Sequence, residues 1–270
     1  MTALQDDLNR STWSMSSSRR WLDSVREFTD PGERAVLELV RDRARGKPIL
    51  DIGVGTGRTV PMLAPLTSDY RAVDYLASMV DACRARHPHV RVELGDARAL
   101  DGVADGFFGL VSFSFNGIDA VGHEDRTRVL AEMRRVARRD GVVVFSTLNM
   151  DGPSYRERPW VPRPATQCSL PRAAARTARA IASVPFDIAR WMRVHPGALR
   201  GDGWAIAPLS AHHYGVLAHF TTLERQLEEL ANAGLDRDVI VVESEHGARV
   251  LPGQDTAASA WFHFIARPRF

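Results

Sequence analysis

The residues best suited to bind a ligand form a glycine-rich run directly after a short apolar segment. Residues 51–57 read DIGVGTG and follow the strand predicted for residues 48–52. Glycines permit positive φ angles and close approach of the backbone to a ligand. The N–H groups at the start of the following helix favour an anionic or polar group. The run predicts a binding turn, although a purely structural turn would need the same glycines. Its members are Asp51, Gly53, Gly55 and Gly57.

Two acidic residues follow the next two predicted strands. Asp74 ends the strand predicted for residues 71–74 and lies 21 residues after Gly53. That spacing suits a carboxylate that accepts hydrogen bonds from ribose hydroxyls. Asp96 follows the strand predicted for residues 90–92, where an acid can reach an adenine amino group. Because the ligands of open α/β sheets bind at the carboxyl edge, the three segments predict one site there.

Alternating helices and strands must position these residues. Further strands are predicted at 108–113, 142–145, 239–242 and 261–266, and their apolar runs are typical of parallel strands covered on both faces. Helices are predicted at 31–44, 76–85 and 125–138, the last of them ended by Gly141. A capping box at Thr221 and Glu224 predicts one more helix, which Gly234 closes.

Together these segments resemble the class I S-adenosylmethionine (SAM)-dependent methyltransferases. The resemblance rests on LDIGVGTG at 50–57, VDYLASMV at 73–80, GDA at 95–97, FGLVSFSFNGID at 108–119 and VLAEMRRVARRDGVVVFST at 129–147. It implies an α/β, Rossmann-like doubly wound sheet of seven strands in the order 3-2-1-4-5-7-6, with the last strand antiparallel and a helical insertion after the fifth. The rival is a dinucleotide-binding site, but its G-x-G-x-x-G pattern has the third glycine one residue later than here.

The resemblance also implies SAM as the cofactor, S-adenosylhomocysteine as its product, and roles for individual residues. The three glycines would form the turn under the methionine moiety, which Asp51 would help to hold through the loop, and Asp74 would bind the ribose hydroxyls. Met79 could instead be ordinary core packing. The other implied cofactor contacts are Tyr75 and Met79 beside adenine, Asp96 and Ala97 at the adenine ring, and Phe115 and Asn116 near the methyl-donor end.

The resemblance does not fix a general base. The run His212-His213-Tyr214 lies where the core pattern resumes, and imidazole suits proton transfer near neutral pH. Packing or surface roles for the two histidines stay open. We expect no metal, because His212, His213 and His219 lack a clear acidic or cysteine partner.

The chain divides into four expected segments. These are an N-terminal helical cap (1–30), the SAM-binding core (31–150), an arginine-rich lid (151–210) and the end of the core (211–270). The lid has nine arginines against four acidic residues, and residues 170–194 could hold one or two helices broken at Pro185. The candidate substrate contacts are Asn149, Asp119 and Trp160, although each could be a turn or core residue.

Composition excludes several classes of protein. The 270 residues are 44% hydrophobic and 25% charged, which excludes a disordered chain. A net charge of +2 makes nucleic acid an unlikely partner. Two distant cysteines, Cys83 and Cys168, fit a reducing compartment rather than a disulfide framework. No apolar run approaches a membrane span, and no signal peptide is recognisable. We therefore expect a cytoplasmic protein without a membrane partner, and a homodimer stays open.

These observations lead to one functional hypothesis and two alternatives. The hypothesis is a SAM-dependent methyltransferase that acts on an oxygen or nitrogen atom of a small molecule or short peptide in biosynthetic tailoring. One alternative is a methyltransferase for a macromolecule such as tRNA or protein. The other is a non-catalytic SAM-binding regulatory protein.

Overall fold

The computed structural model describes residues 2–25, 27–162 and 170–269, which form one large sheet flanked by helices. The strands are β1 Ile49–Ile52, β2 Tyr70–Asp74, β3 Arg91–Leu94, β4 Phe108–Phe113, β5 Ala137–Asn149, β6 Leu199–Gly201, β7 Trp204–Pro208, β8 Leu217–Thr221, β9 Arg237–Glu243 and β10 Trp261–Arg267. The α-helices are α1 Thr2–Trp13, α2 Ser16–Ser24, α3 Pro31–Ala44, α4 Val60–Leu63, α5 Ala77–Arg86, α6 His123–Val136, α7 Pro153–Arg156, α8 Leu170–Val194 and α9 Leu223–Asn232.

The strand order confirms the predicted fold. Strands β3, β2, β1, β4 and β5 are parallel neighbours in that order, and β10 pairs with β5 and with β9 in antiparallel fashion. Because β9 and β10 are the predicted sixth and seventh strands, this is the order 3-2-1-4-5-7-6 with the last strand antiparallel.

The central strands are buried on both faces, as their apolar runs predicted. Every residue of β1 and β4 is buried. Successive side chains point to opposite faces, so Leu50 and Val111 pack into one apolar cluster while Ile49 and Leu110 pack into the other. Two cores, one on each side of the sheet, therefore hold the carboxyl edge in place.

The sheet has ten strands rather than seven, because the segment before α9 is not purely helical. β8 pairs in parallel with the last two residues of β5, and β7 and β6 extend the sheet antiparallel beyond it. β6 and β7 are joined by Asp202 and Gly203, with φ of 70° at the glycine. An Asp-Gly pair between two strands is a strong hairpin signal, which the prediction of a helical insertion overlooked.

Two predicted element boundaries and one predicted helix break are wrong. Gly141 does not end a helix: α6 stops at Val136 and Gly141 lies inside β5, where a side chain would meet the Phe108 carbonyl oxygen at 2.9 Å. The cap of α9 is Thr222, whose side chain accepts from the Arg225 N–H, because Thr221 still belongs to β8. The helix from 170 to 194 is not broken, and Pro185 lies within it.

Helix α1 is attached to the free edge of β8 by buried polar side chains. Asn9 is 2% exposed; its Nδ2 donates to the Leu217 carbonyl at 2.8 Å and its Oδ1 accepts from the Leu217 N–H at 3.0 Å. Gln5 donates to the same carbonyl at 3.2 Å, and Thr12 donates to Gly215. These bonds satisfy backbone groups that β5 leaves unpaired at this end of the strand.

No helix in the described part of the chain is long and apolar enough to span a bilayer. Cys83 is buried and unpaired. Cys168 lies outside the described residues.

Candidate functional site

The glycine loop follows β1 at the carboxyl edge of the sheet. Gly55 has φ of 55°, and a side chain on it would come no nearer than 4.0 Å to Leu22 of α2. Gly57 has φ of 92°, and a Cβ there would lie 2.5 Å from the His87 ring. Gly53 likewise has a positive φ of 66°. The loop thus needs glycine for its own shape, and at Gly55 it leaves space between the backbone and α2.

Asp51 holds this loop from below rather than facing the open side. Its Oδ2 accepts hydrogen bonds from Thr59 Oγ1 and, at 2.7 Å, from the Tyr70 hydroxyl. Burial raises the pKa of Asp51 to about 6, against the lowering effect of these two hydrogen bonds. The placement is compatible with its predicted role of holding a ligand through the loop.

Asp74 ends β2 directly beside the loop. Its Oδ2 accepts from the Gly55 N–H at 2.9 Å and its Oδ1 from the Leu76 N–H at 3.0 Å. Burial raises its pKa, although these backbone bonds lower it. Each oxygen has a further lone pair, so the carboxylate can also accept from a diol. Next to it, the Tyr75 ring lies under the Arg10 guanidinium at 4.8 Å.

The two predicted adenine contacts lie one strand further on. Asp96 accepts from the Arg98 side chain at 2.7 Å, and Arg98 also pairs with Asp125 and with Asp6 of α1. Burial raises the pKa of Asp96, but the Arg98 hydrogen bonds outweigh it and the net pKa is lowered. Ala97 is buried beside it. Met79 is also buried in the core, which fits the packing explanation that the sequence left open.

The turn after β4 is strained in a way typical of functional sites. Phe115 and Asn116 are consecutive residues with φ of 55° and 59°, which non-glycine residues rarely adopt. Ser146 fixes the turn, since its Oγ accepts from the Asn116 N–H at 2.7 Å. Among the described residues, Asn116 Oδ1 is buried without a hydrogen-bond partner. A buried orphan acceptor fits an ammonium donor such as that of a bound SAM methionine moiety.

Two residues that the sequence analysis missed join this turn to the glycine loop. Arg58 makes a bidentate pair with Glu33 of α3, at 2.6 and 2.7 Å, and donates to Ser114 at 3.0 Å. The Arg58 guanidinium also lies 4.7 Å from the centre of the Phe115 ring. The sequence feature that could have pointed to Arg58 is its position directly after the third glycine of the loop.

An aromatic cluster from the N-terminal helices covers the same turn. Trp21 of α2 stacks with Phe115 at 6.0 Å, and the His212 ring lies 4.4 Å from both Trp13 and Trp21. Burial, and then the Arg190 charge, lowers the pKa of His212 to about 4. His212 is therefore neutral near pH 7 and is a weak base.

His213 faces away from that cluster. Its Nδ1 lies 2.7 Å from Asp187 Oδ1 of α8, and Asp187 Oδ2 accepts from Ser183 at 3.0 Å. His213 and the buried Tyr214 line a cavity of about 310 Å³ together with Arg158 and residues of α8. Both have positive φ, 51° and 55°. The turn at 210–214 thus borders the aromatic cluster on one side and the cavity on the other.

The structure does not bring the three predicted substrate residues together. Asn149 is fully buried and donates to the Thr256 and Ser259 carbonyls, each at 2.9 Å. Asp119 forms a buried pair with Arg126 at 2.6 Å, and burial raises its pKa to about 6. Trp160 is 53% exposed and packs edge-on against Trp191 of α8.

His219 lies apart from His212 and His213, next to His123 and Glu229. The ligand atoms of these three side chains lie within 4.8 Å of one another. However, His123 Nδ1 and His219 Nε2 are 3.0 Å apart in rings tilted by only 2°, with centroids at 5.3 Å. Since the two nitrogens face each other, a metal at about 2.0–2.1 Å from both would need one ring to turn. The contact is an N–H···N hydrogen bond, and the absence of a metal stays a prediction.

Comparison with known proteins connects this geometry to a family. Residues 49–141 match a family model described as a methyltransferase domain. Demethylmenaquinone methyltransferase of Renibacterium salmoninarum is 31% identical over 140 residues, 52% of each chain. The enzyme of the same name from Beutenbergia cavernae is 30% identical over 156 residues, 58% of this chain and 55% of its own. The chain thus spans about half the length of the curated relatives it matches.

Solved structures agree on the fold. The 1,6-didemethyltoxoflavin-N1-methyltransferase of Burkholderia thailandensis, with bound S-adenosylhomocysteine, has a TM-score of 0.61 at 16% identity, covering 100% of this chain and 91% of its own. An amino pentose methyltransferase of Micromonospora echinaspora has a TM-score of 0.56 at 17% identity, covering 93% and 96%. Residues 49–141 thus match a methyltransferase domain, and the chain has the fold of the class I SAM-dependent methyltransferases.

Proposed function

We propose that the protein transfers a methyl group from SAM to an oxygen or nitrogen atom of a small molecule or short peptide, in biosynthetic tailoring. The observation that carries the proposal is the convergence of Asp74, Gly55 and Asn116 at one edge of the sheet. A buried carboxylate, an open glycine backbone and an orphan amide oxygen together suit the ribose and the methionine end of SAM. The names of the similar proteins, which include quinone, toxoflavin and amino-sugar methyltransferases, support a small acceptor.

When bound, SAM supplies an activated methyl group, so the chain must mainly position both reactants. Asp74 would accept from the ribose hydroxyls while the Gly55 N–H keeps its carboxylate in place. Asn116 Oδ1 would accept from the methionine ammonium. Trp13, Trp21 and Phe115 would exclude water from the methyl-donor end, because they already form a covering cluster there.

We also propose that His213 is the general base, with the 151–210 segment as the lid of the acceptor cavity. Of the three candidates, it has a carboxylate partner, Asp187, that fixes the orientation of its ring. Because His213 faces away from the aromatic cluster in the described structure, this role requires the turn at 210–214 to bring the cavity and the methyl-donor end together when an acceptor binds. The acceptor would then lose its proton to His213 Nε2. His212 is a poorer candidate because its burial between two tryptophans keeps its pKa low. The proposed location is the cytoplasm, on the basis of two cysteines that lie far apart in the sequence.

The direct test of the cofactor site is SAM binding by calorimetry. Asp74→Asn removes charge-assisted hydrogen bonds worth about 1.5–3 kcal/mol, so we expect affinity to fall roughly 10- to 150-fold. Asp81→Asn, at an exposed position on α5, is the matched control and should bind as the wild type does. Equal affinities for the two variants would refute the ribose role of Asp74.

The acceptor class is tested with SAM labelled in its methyl group and an extract of the source cells. We expect protein-dependent label in the small-molecule fraction, which also yields the product for identification. Label in RNA or protein would replace the proposal with a macromolecular acceptor. SAM binding without transfer to any fraction would favour the regulatory alternative.

A further inference from the structure

The solvent-facing side of α8 is unusually apolar. Ile181, Phe186 and Met192 are 56%, 53% and 65% exposed, and Pro185 and Ala189 are exposed between them. At 100° per residue, positions 181, 185, 189 and 192 fall within one outward sector of about 80°. Phe186 lies at the edge of this sector, where its ring also contacts His213 at 5.8 Å and Arg190 at 5.4 Å. A surface helix normally turns its apolar stripe towards the core.

The inward side of the same helix is correspondingly polar. Ser183 and Asp187 are hydrogen-bonded to each other, and Asp187 bonds to His213. Arg190 packs so closely on Gly215 that a Cβ at that glycine would lie 1.6 Å from its Nη2. These contacts fix the rotation of α8 about its axis, so the apolar residues cannot turn inward without breaking them.

Large apolar side chains next to α8 are exposed as well. Trp160 is 53% exposed with its ring 5.7 Å from Trp191 of α8, and Val161 is 58% exposed at the cavity that α8 also lines. We call the exposed residues Ile181, Phe186 and Met192 the α8 patch, and Trp160 and Val161 add exposed apolar surface on the cavity side of the helix. Exposed apolar surface of this kind marks an interaction site.

The exposed charges around the α8 patch indicate what kind of surface it would bind. Arg193 is exposed at the edge of the outward sector of α8 and Arg179 is exposed at its border with the cavity, whereas Asp187, the one acidic residue of α8, is turned inward to His213. The exposed charge on this face of α8 is therefore positive. Contact between the α8 faces of two copies would bring like charges together, whereas an anionic lipid surface offers both apolar depth and opposite charge.

We propose that the protein docks on anionic lipid surfaces through the α8 patch, with α8 lying in the interfacial plane. The helix does not cross the bilayer, in line with the absence of a spanning helix among the described residues. This revises the expectation of no membrane partner, because the outward rotation of the apolar residues is visible only in the structure. The proposal does not depend on the proposed methyl transfer.

The test is co-sedimentation of the full chain with vesicles of phosphatidylglycerol and, separately, of phosphatidylcholine. We expect binding to phosphatidylglycerol vesicles that weakens with salt, and little binding to phosphatidylcholine. Ile181→Gln with Met192→Gln should abolish it. Leu94→Gln with Leu251→Gln is the matched control, since these residues are 62% and 66% exposed on other elements.

A second pair of variants tests the charge. Arg179→Gln with Arg193→Gln should weaken binding about 25-fold, at about five-fold for each arginine near the surface. Arg41→Gln with Arg91→Gln, both exposed elsewhere, should change it little. The proposal is overturned if the wild type does not sediment with phosphatidylglycerol, or if both vesicle types bind equally. It is also overturned if the Ile181 and Met192 changes instead convert a dimer to a monomer.

Discussion

At the residue scale, the two buried carboxyl groups of Asp51 and Asp74 have different roles at the site. Asp51 accepts from two hydroxyl groups beneath the glycine loop and supports the backbone that a ligand would contact. Asp74 accepts only from backbone N–H groups in the described structure, which leaves each of its oxygens a further lone pair for a ligand. Both were predicted as cofactor residues from their positions after strands. Only their hydrogen-bond partners in the structure show that Asp51 supports the loop and that Asp74 is the candidate ligand contact.

The raised pKa of Asp51 predicts a pH dependence of stability. Its pKa is about 6 in the folded chain against 3.8 for an ordinary aspartate. The folded state therefore holds the proton more tightly, and the associated stability is present at low pH and lost as pH rises through about 6. When the pH is raised from about 4 to about 7, the change in the free energy of unfolding should be about 2 kcal/mol more negative for the wild type than for Asp51→Asn.

Urea unfolding at both pH values measures this difference. The asparagine carbonyl can still accept from Thr59 and Tyr70, so the variant should fold. Asp81→Asn, at an exposed carboxyl, should follow the wild type between the two pH values. Parallel stability curves for wild type and Asp51→Asn would show that burial does not hold this proton.

The proposed base makes a kinetic prediction. Once an acceptor is identified, His213→Ala should lower kcat about 100-fold or more, the usual contribution of a general base. Asp187→Asn should also lower kcat, because the ring of His213 loses its orienting partner, and SAM affinity should stay unchanged in both. The matched control is His246→Ala, since His246 forms a similar contact with Glu243 at 3.1 Å on another face. Normal turnover of His213→Ala would eliminate it as the base.

At the scale of elements, the helices and strands that were predicted correctly are those with a clear local sequence pattern. Continuous apolar runs gave the strands of the core, and the positions of Gly53, Asp74 and Asp96 after three of them gave the carboxyl edge. The hairpin of β6 and β7 was missed although its Asp-Gly signal is local, whereas the pairing of β8 with β5 joins residues as distant as Leu148 and Phe220. The end of β8 was also misjudged, since Thr221 and Thr222 are equally good caps until the strand pairing decides between them.

The attachment of helix α1 to β8 through Asn9 can be tested by mutation. Asn9 binds both backbone groups of Leu217, and the carbonyl also accepts from Gln5. Asn9→Ala should therefore leave the buried Leu217 N–H without its partner, at a cost of about 1–3 kcal/mol. We expect a lower free energy of unfolding and faster amide exchange in α1. Asn232→Ala, at the exposed end of α9, is the control and should have a small effect. Unchanged exchange in α1 would mean that its attachment to β8 does not depend on Asn9.

At the scale of the whole molecule, the N-terminal and C-terminal parts of the chain meet over the site. Asp6 of α1 pairs with Arg98 after β3, Trp21 of α2 covers Phe115 after β4, and His212 fills the gap between the two tryptophans. The sequence suggested an N-terminal cap without a motif to place it. The position of the cap depends on side chains that belong to no recognisable sequence motif. The cap could therefore be expected from the sequence, but its contacts could not.

This arrangement predicts how the molecule responds to SAM. Leu22 of α2 is the nearest side chain to the open side of Gly55, and Trp21 of α2 stacks on Phe115, so we expect α2 to cover a ligand bound there. We expect SAM to slow amide exchange in α2 and in residues 53–57, because opening of the cap must then precede release. Helix α9, which contributes no residue to the candidate site, is the internal control and should exchange at the same rate with and without SAM. Slower exchange in residues 53–57 with no change in α2 would show that the N-terminal helices do not close over the cofactor.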